Sequence, residues 1–198
     1  MSLPESVVLQ IIQPFLTDIK FCFYNAWDEF MTQYSPELKQ NYDSIIRANI
    51  LHGHIRRNIR DKFKKNKDAK VIEGPKKAFT LVIKDLVFVE FHKLDQNNLS
   101  SNPITQAKFS FLGQEPQFQF GDTQNLNAGY KLNPLETGIS VVTITAPQGA
   151  NSNDWFWDLD MNVGEVINFP TKQKEETSKK RVRTKKTKTE IQKDEMNG

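Results

Sequence analysis

The chain has 198 residues, of which 37% are hydrophobic and 14 are phenylalanine, so it is large enough for one domain with a hydrophobic core. Cys22 is the only cysteine, which excludes an intrachain disulfide and makes a reducing, cytoplasmic compartment the expectation. Glu5 and Asp18 interrupt a short apolar N-terminal run, and no window reaches the ~18 uncharged apolar residues of a membrane span. We therefore expect neither a signal peptide nor a membrane-spanning helix.

Two amphipathic helices are predicted in the first third of the chain. Apolar residues recur every three or four positions over residues 4–34, which predicts one long helix that is kinked or broken at Pro14. A second such pattern covers residues 43–67 and carries its basic side chains on the opposite face. The two helices are predicted to pair as an antiparallel hairpin over residues 1–66.

Residues that favour helix starts are found at two points between the long helices. Ser35, Pro36 and Glu37 combine a cap, a proline suited to the first helical position and an acid in the first turn, which predicts a short helical turn before residue 43. Asp43 or Ser44 is then placed to accept hydrogen bonds from the first free amides of the second helix.

The hydrophobic period changes from 3.6 to 2 after a polar stretch that ends at Gly74 and Pro75. One strand with a bulge or bend at Asp85 is predicted over residues 79–91. Further short strands are predicted over residues 105–111, 118–120, 126–132, 139–145 and 155–159. Short strands at this spacing predict an antiparallel sheet or small barrel over residues 75–169. Helices first and strands afterwards predict an α+β fold in which the helical hairpin packs on the sheet as one compact domain.

The C-terminal segment, residues 170–198, contains ten Lys and Arg residues against five Asp and Glu residues, whereas the rest of the chain is slightly acidic. It has no aromatic residue and too little apolar area to offset its ordering entropy, so a disordered basic tail is predicted. The run from 178 to 186 suits sequence-independent binding to phosphates, although a merely solvating tail is the alternative. The predicted nucleic-acid contacts are Lys179, Lys180, Arg181, Arg183, Lys185 and Lys186.

The segment RANILH places Arg47 four residues clear of His52. This spacing resembles the Arg-x4-6-His signature of HEPN-domain ribonucleases. The resemblance implies that the pair would cleave RNA, with His52 accepting a proton and Arg47 holding a phosphate. Ala48 stands where that family usually has a polar residue, and the large β-region is foreign to that fold. A packed, hydrogen-bonded His52 is the alternative.

The sequence predicts no metal site and no cofactor. His52 and His54 lie about 200° apart around a helix, so they cannot share one metal ion from one face. The spacing near four that helical metal ligands favour is missing, and His92 is distant in sequence. No glycine-rich phosphate loop and no nucleophile elbow is present.

The basic face of the second helix is the predicted partner surface. Arg56, Arg57 and Arg60 would contact an acidic protein there. In the alternative, these arginines face water or pair with Glu and Asp residues of the same domain.

Three segments, RANILHGHIR, SSNPITQAKFSF and NAGYKLNPLETGISVVTITAP, resemble a loosely characterised group of small bacterial proteins. Members of that group are encoded beside helix-turn-helix or ImmA/IrrE-type peptidase genes, in modules resembling toxin–antitoxin or phage-defence pairs. The resemblance implies a bacterial or mobile-element origin and a protein partner, such as that regulator. The function expected first is therefore a non-catalytic interaction or effector component of a two-gene module.

Overall fold

The computed structural model describes residues 3–74, 77–101, 105–115 and 122–160. The fold is α+β, as predicted, with its long helices first and most of its strands afterwards. The helices and strands are, in order, α1 (Glu5–Gln33), α2 (Pro36–Asn41), α3 (Ser44–Phe63), β1 (Ala69–Gly74), β2 (Lys77–Ile83), β3 (Val87–Lys93), α4 (Gln106–Leu112), β4 (Gln124–Leu132), β5 (Ile139–Pro147) and β6 (Asn153–Asp158).

The helices α1 and α3 lie antiparallel, with α2 as the short turn between them. Asp18 pairs with Lys62 near one end of the hairpin, and Glu29 pairs with Arg57 further along. α1 runs as one helix through Pro14, so the break that a proline allows does not occur. Asp43 caps α3 by accepting a hydrogen bond from the amide of Ile46, as its position predicted.

By length and composition alone, α1 is a helix that could cross a membrane. Ten of its side chains are nevertheless buried, and they join the core formed with α3 and the sheet. Such burial is typical of a core helix in a globular domain.

The sheet has six strands in sequence order, β1-β2-β3-β4-β5-β6. The prediction of a wholly antiparallel sheet is wrong, because β3 and β4 are parallel, from Val87 opposite Gln124 to Lys93 opposite Tyr130. The other neighbouring strands are antiparallel. A parallel pair needs a crossover connection, and residues 94–123 provide one that contains α4.

The single strand predicted over residues 79–91 is a hairpin of β2 and β3. Lys84 and Asp85 have φ angles of 50° and 56°, and Ile83 faces Val87 across the turn. The turn has three residues, 84–86. Because this number is odd, the apolar residues of β2 and β3 continue one alternating pattern, and the sequence looks like that of one long strand. β1, which pairs with β2, falls in the polar stretch for which no strand was predicted.

The strand predicted over residues 105–111 is the helix α4. The Thr105 side chain accepts a hydrogen bond from the amide of Lys108 and thereby caps the helix. Lys108, Phe111 and Leu112 are buried at helical spacing, whereas Phe109 is 54% exposed. Over so few residues, an apolar–polar alternation fits a strand and one helical face equally well. The strand predicted over residues 118–120 lies outside the described residues.

The two faces of the sheet have different cores. The first face, which carries Val89 and Phe91 of β3, packs on α1 and α3, with the Phe23 ring 6.0 Å from that of Phe91. On the second face, Phe111 of α4 packs against Phe88 and Val82. Every residue of β3 except the last is buried, so this strand is covered from both sides.

Gly129 and Gly53 form a matched pair for a stability test. A Cβ atom at Gly129 of β4 would overlap Cγ of Leu94, whereas one at Gly53 of α3 meets no atom within 4 Å. We expect Gly129→Ala to lower the free energy of unfolding by about 1–3 kcal/mol, as overpacking does. Gly53→Ala should raise it by up to about 1 kcal/mol through helix propensity. Urea denaturation measures both, and a stabilised Gly129→Ala protein would contradict the close packing of Leu94 on β4.

Candidate functional site

A buried ionic cluster lies between β3, β4 and α4 on the second face of the sheet. Glu90 and His92 are two residues apart on β3, so they project to the same face. Asn127 lies opposite Glu90 in the parallel register of β4, and Lys108 comes from α4. We call these four residues the Lys108 cluster, and each of them is at most 9% exposed.

Lys108 is the centre of the cluster. Its Nζ lies 2.9 Å from Oε2 of Glu90, 3.1 Å from Oδ1 of Asn127 and 2.7 Å from Nε2 of His92. Nε2 of His92 is in turn 3.1 Å from the same oxygen of Glu90. One amine, one imidazole nitrogen and one carboxylate oxygen thus form a closed triangle of hydrogen-bonding distances.

Burial and the neighbouring charges act together on the ionisation of these groups. Burial lowers the pKa of Lys108, although the charge of Glu90 opposes this effect. Burial lowers the pKa of His92 as well, by more than its hydrogen bond with Glu90 raises it. Burial alone would raise the pKa of Glu90, but the contacts with His92 and Lys108 outweigh it and hold that pKa below its usual value. Glu90 is therefore the anion of the cluster near neutral pH.

One proton has two possible positions in this triangle. With Lys108 as an ammonium, the amine donates hydrogen bonds to Glu90, Asn127 and His92, and the imidazole is neutral. With the proton on Nε2 of His92, the amine is neutral and the imidazolium lies beside Glu90. Both arrangements have zero net charge, so the shift leaves no uncompensated charge in the interior.

Lys108 and Asn127 also line a cavity of about 220 Å³. Its wall is completed by Leu112 of α4, by the loop that follows β3 and by the loop between β5 and β6. The lining residues from those two loops are Asp95, Leu99, Ser100, Pro147, Gly149, Ala150, Asn151 and Asn153. The buried hydroxyl of Ser100 has no hydrogen-bond partner among the described residues. The lining thus combines a lysine, asparagines and a serine, which are residue types suited to a small polar molecule.

Arg47 and His52, the predicted catalytic pair, both lie on α3. Five residues of helix place their side chains about 140° apart around α3. Arg47 is bound by Oε2 of Glu136 at 2.6 Å and by the carbonyl of Tyr42 at 2.9 Å. The small cavity beside Arg47, about 30 Å³, is lined by Ala48 and Glu136 but not by His52. The ribonuclease hypothesis stays a prediction that only an RNA-cleavage assay can test.

The three arginines of the predicted partner surface lie on two sides of α3. Arg60 donates two hydrogen bonds to Glu73 of β1, at 3.0 and 2.8 Å, and Arg56 contacts the same carboxylate at 3.4 Å. Arg57 faces α1 instead, where it pairs with Glu29 at 2.6 Å. The carboxylates of the domain therefore engage all three guanidinium groups, as in the alternative given by the sequence.

Lys179, Lys180, Arg181, Arg183, Lys185 and Lys186 lie outside the described residues, so the nucleic-acid hypothesis for the tail stays a prediction. In the part of the chain that the structure describes, no group of three or more His, Cys, Asp and Glu residues is arranged to hold a metal ion.

Sequence reasoning missed the Lys108 cluster. The available signal was Glu90 and His92 on one face of a strand whose other residues are almost all apolar. Lys108 gave no comparable signal. In the predicted strand its side chain would face solvent, whereas in the observed helix α4 it is buried.

Comparison with known proteins finds no family model, no curated protein and no solved structure that matches this chain. The resemblances to HEPN-domain ribonucleases and to the group of small bacterial proteins therefore rest only on the sequence segments quoted above for each of them.

The ionisation of His52 gives a test of its surroundings. Burial, with the positive charges of His92 and Arg56, lowers its pKa from 6.5 to about 4. Between these values the unfolded chain binds a proton that the folded protein does not, so acidification favours unfolding. We expect the ionisation of His52 to lower the free energy of unfolding by up to about 3 kcal/mol between pH 7 and pH 4.

His52→Gln removes this titration, so its free energy of unfolding should depend less steeply on pH than that of the wild type. Urea denaturation at several pH values measures both slopes, and the difference at pH 8 serves as the baseline cost of the substitution. Parallel curves for the two proteins would contradict a partly buried, neutral His52.

Proposed function

We propose that this protein is a non-catalytic interaction component, the effector or regulatory half of a bacterial two-gene module of the toxin–antitoxin or phage-defence kind. It acts in the cytoplasm and binds an acidic protein partner, such as a helix-turn-helix or peptidase regulator encoded beside it. Arg56 and Arg60 of α3 are the centre of the contact, and Arg57 contributes from the other side of the helix.

The observation that carries this proposal is the sharing of one carboxylate by two arginines. Arg56 and Arg60 both contact Glu73, so two guanidinium groups share one bonded carboxylate, and Asp61 adds a second negative charge near Arg60. Their side chains are 40% and 44% exposed. Each guanidinium has five N–H donors, so both keep donors for a carboxylate of a partner.

The same two arginines are held in place before any partner arrives. The guanidinium carbon of Arg56 lies 4.9 Å from the centre of the Phe79 ring, and that of Arg60 lies 5.8 Å from it. Stacking on an aromatic ring and pairing with Glu73 both restrict the side-chain rotamers. A surface ordered in advance loses less conformational entropy on binding, which favours recognition of a partner.

Two other functions stay open as predictions. A ribonuclease would use Arg47 and His52, and a nucleic-acid-binding protein would use the basic residues 178–186. Neither draws support from the described residues, whereas the partner-binding proposal draws support from the exposure and charge of Arg56 and Arg60.

Co-expression with the product of the adjacent gene, followed by affinity capture, tests the proposal. We expect the wild type to retain that product, and we expect Arg56→Glu with Arg60→Glu to reduce retention at least tenfold. Lys70→Glu is the matched control, because it also breaks an exposed ion pair that involves β1, the one with Asp85. It should leave retention unchanged.

The variants should remain folded, since exposed ion pairs contribute only about 0–1 kcal/mol each. Thermal unfolding of each purified variant checks this point. No complex between the wild type and the neighbouring product, or equal retention by the Arg56/Arg60 variant and the control, would contradict the proposal.

A further inference from the structure

Lys108 lies between a proton acceptor and a cavity. Its amine contacts Nε2 of His92 at 2.7 Å, and Lys108 is also one of the residues that line the cavity of about 220 Å³. Glu90 and His92 do not line that cavity, so Lys108 is the ionisable member of the cluster that borders a molecule inside it. This arrangement suits a nucleophile with its base.

We propose that Lys108 is a nucleophilic lysine that forms a reversible imine with a small, neutral, hydroxylated carbonyl compound bound in this cavity. Nothing in the partner-binding proposal assigns a role to this site. The two sites also lie on different elements, α3 and β1 for the arginines and α4, β3 and β4 for the lysine.

The first requirement of such a nucleophile is a neutral amine, since an ammonium has no lone pair to donate. The contact between Nζ and Nε2 allows the proton of Lys108 to pass to His92. Glu90, 3.1 Å from Nε2, then stabilises the imidazolium. The cluster keeps zero net charge throughout, so the transfer leaves no uncompensated charge in the interior, and Glu90 offsets part of the cost of burying the imidazolium.

The second requirement is a place for the carbonyl compound. The cavity is smaller than the roughly 300–1,000 Å³ of pockets for drug-sized ligands, so it suits a molecule of a few heavy atoms. Ser100 is one of its lining residues, and its buried hydroxyl has no partner among the described residues, so a carbonyl oxygen that reached this point would satisfy it. Asn127, Asn151 and Asn153 offer further polar groups for ligand hydroxyls.

The charge of the cavity wall selects among carbonyl compounds. Asp95 lines the cavity, and the charge of Lys108 is already balanced by Glu90. An anionic keto acid would therefore meet a carboxylate without gaining an unpaired cation. A neutral hydroxyaldehyde or hydroxyketone avoids this repulsion, which makes it the preferred class of ligand.

The chemical step balances without an added oxidant or reductant. The lone pair of Nζ forms a bond to the carbonyl carbon, and the carbonyl π electrons move to oxygen, which takes one proton from the nitrogen. The C–O bond of this carbinolamine then breaks, and the oxygen leaves as water with the second N–H proton. Nitrogen and carbon are left joined by a double bond, and the addition of water reverses both steps.

Reductive trapping in the full-length protein tests the proposal. Glycolaldehyde is the neutral probe, sodium cyanoborohydride fixes any imine as a stable secondary amine, and peptide mass mapping locates the label. We expect Lys108 to be labelled at least tenfold faster than Lys131, a lysine near the end of β4 that lies outside both the cluster and the cavity. Glyoxylate, the anionic probe of similar size, should label Lys108 more slowly than glycolaldehyde does.

Two controls separate a built site from general lysine reactivity. In urea the preference for Lys108 should disappear, because the unfolded chain has neither cluster nor cavity. His92→Gln should slow labelling of Lys108 about tenfold and leave that of Lys131 unchanged, since the proton acceptor is then absent.

Labelling of Lys108 no faster than that of Lys131 in the folded wild type would overturn the proposal, whatever the variants do. Equal labelling of Lys108 in the wild type and in His92→Gln would overturn the role assigned to His92. Lys108→Arg keeps the positive charge but cannot form an imine, so this variant should lose one label per chain and still bind the neighbouring gene product.

Discussion

The parallel pairing of β3 with β4 is the constraint on which the rest of the domain depends. Two parallel strands cannot be joined by a tight turn, so the chain must cross the sheet between them. The crossover here carries α4 over the face that α1 and α3 leave uncovered. β3 is consequently buried on both sides, and its polar residues on the second face must find partners within the protein.

The Lys108 cluster meets that requirement. Glu90 and His92 would be costly to bury alone. Lys108 contacts both of them, and Asn127 accepts a further hydrogen bond from Lys108. Gln114, which follows α4 in the chain, also holds this segment against the sheet, because it donates hydrogen bonds to the carbonyls of Asn125 in β4 and Pro147 in β5. A buried ion pair seldom adds more stability than packed apolar residues would, so a cluster of this kind is better explained by specificity or by function.

The sheet thus separates two surfaces with different chemistry. On its first side, α3 presents Arg56 and Arg60, which lie beside Phe79 and share Glu73. On its second side, α4 encloses a lysine and a polar cavity. The two proposals use different residues, so substitutions at one site leave the groups of the other in place.

The helical part of this fold was predictable from sequence because its signals are long. The apolar stripe of α1 extends over eight turns, and Asp43 stands at the start of α3 as a helix cap should. β4 was predictable for the same reason, since its apolar residues alternate to the end of the strand, and β5 was predictable because it is rich in β-branched residues.

The errors fall where the signal is short or local. Seven residues of α4 read equally well as a strand, and the turn at Lys84 and Asp85 preserved the alternation of its neighbours. The candidate sites were predicted less accurately than the helices and strands, because a charged residue near other charged residues is normally interpreted as solvent-exposed. Arg56 and Arg60 were found on a predicted surface, but their common partner Glu73 lies in β1, a strand that was not predicted. Lys108 could be found only once α4 was known to turn inward.

The central claim is that α4 folds onto the second face of the sheet by burying Lys108 against Glu90. A double-mutant cycle with Glu90→Gln, Lys108→Met and the two together measures this contact directly, with urea denaturation as the readout. Each single variant leaves one polar or charged group without its partner, so the double variant should be more stable than the sum of the single effects by about 1–3 kcal/mol. Additive effects, within about 0.3 kcal/mol, would show that the two side chains do not meet in the folded protein.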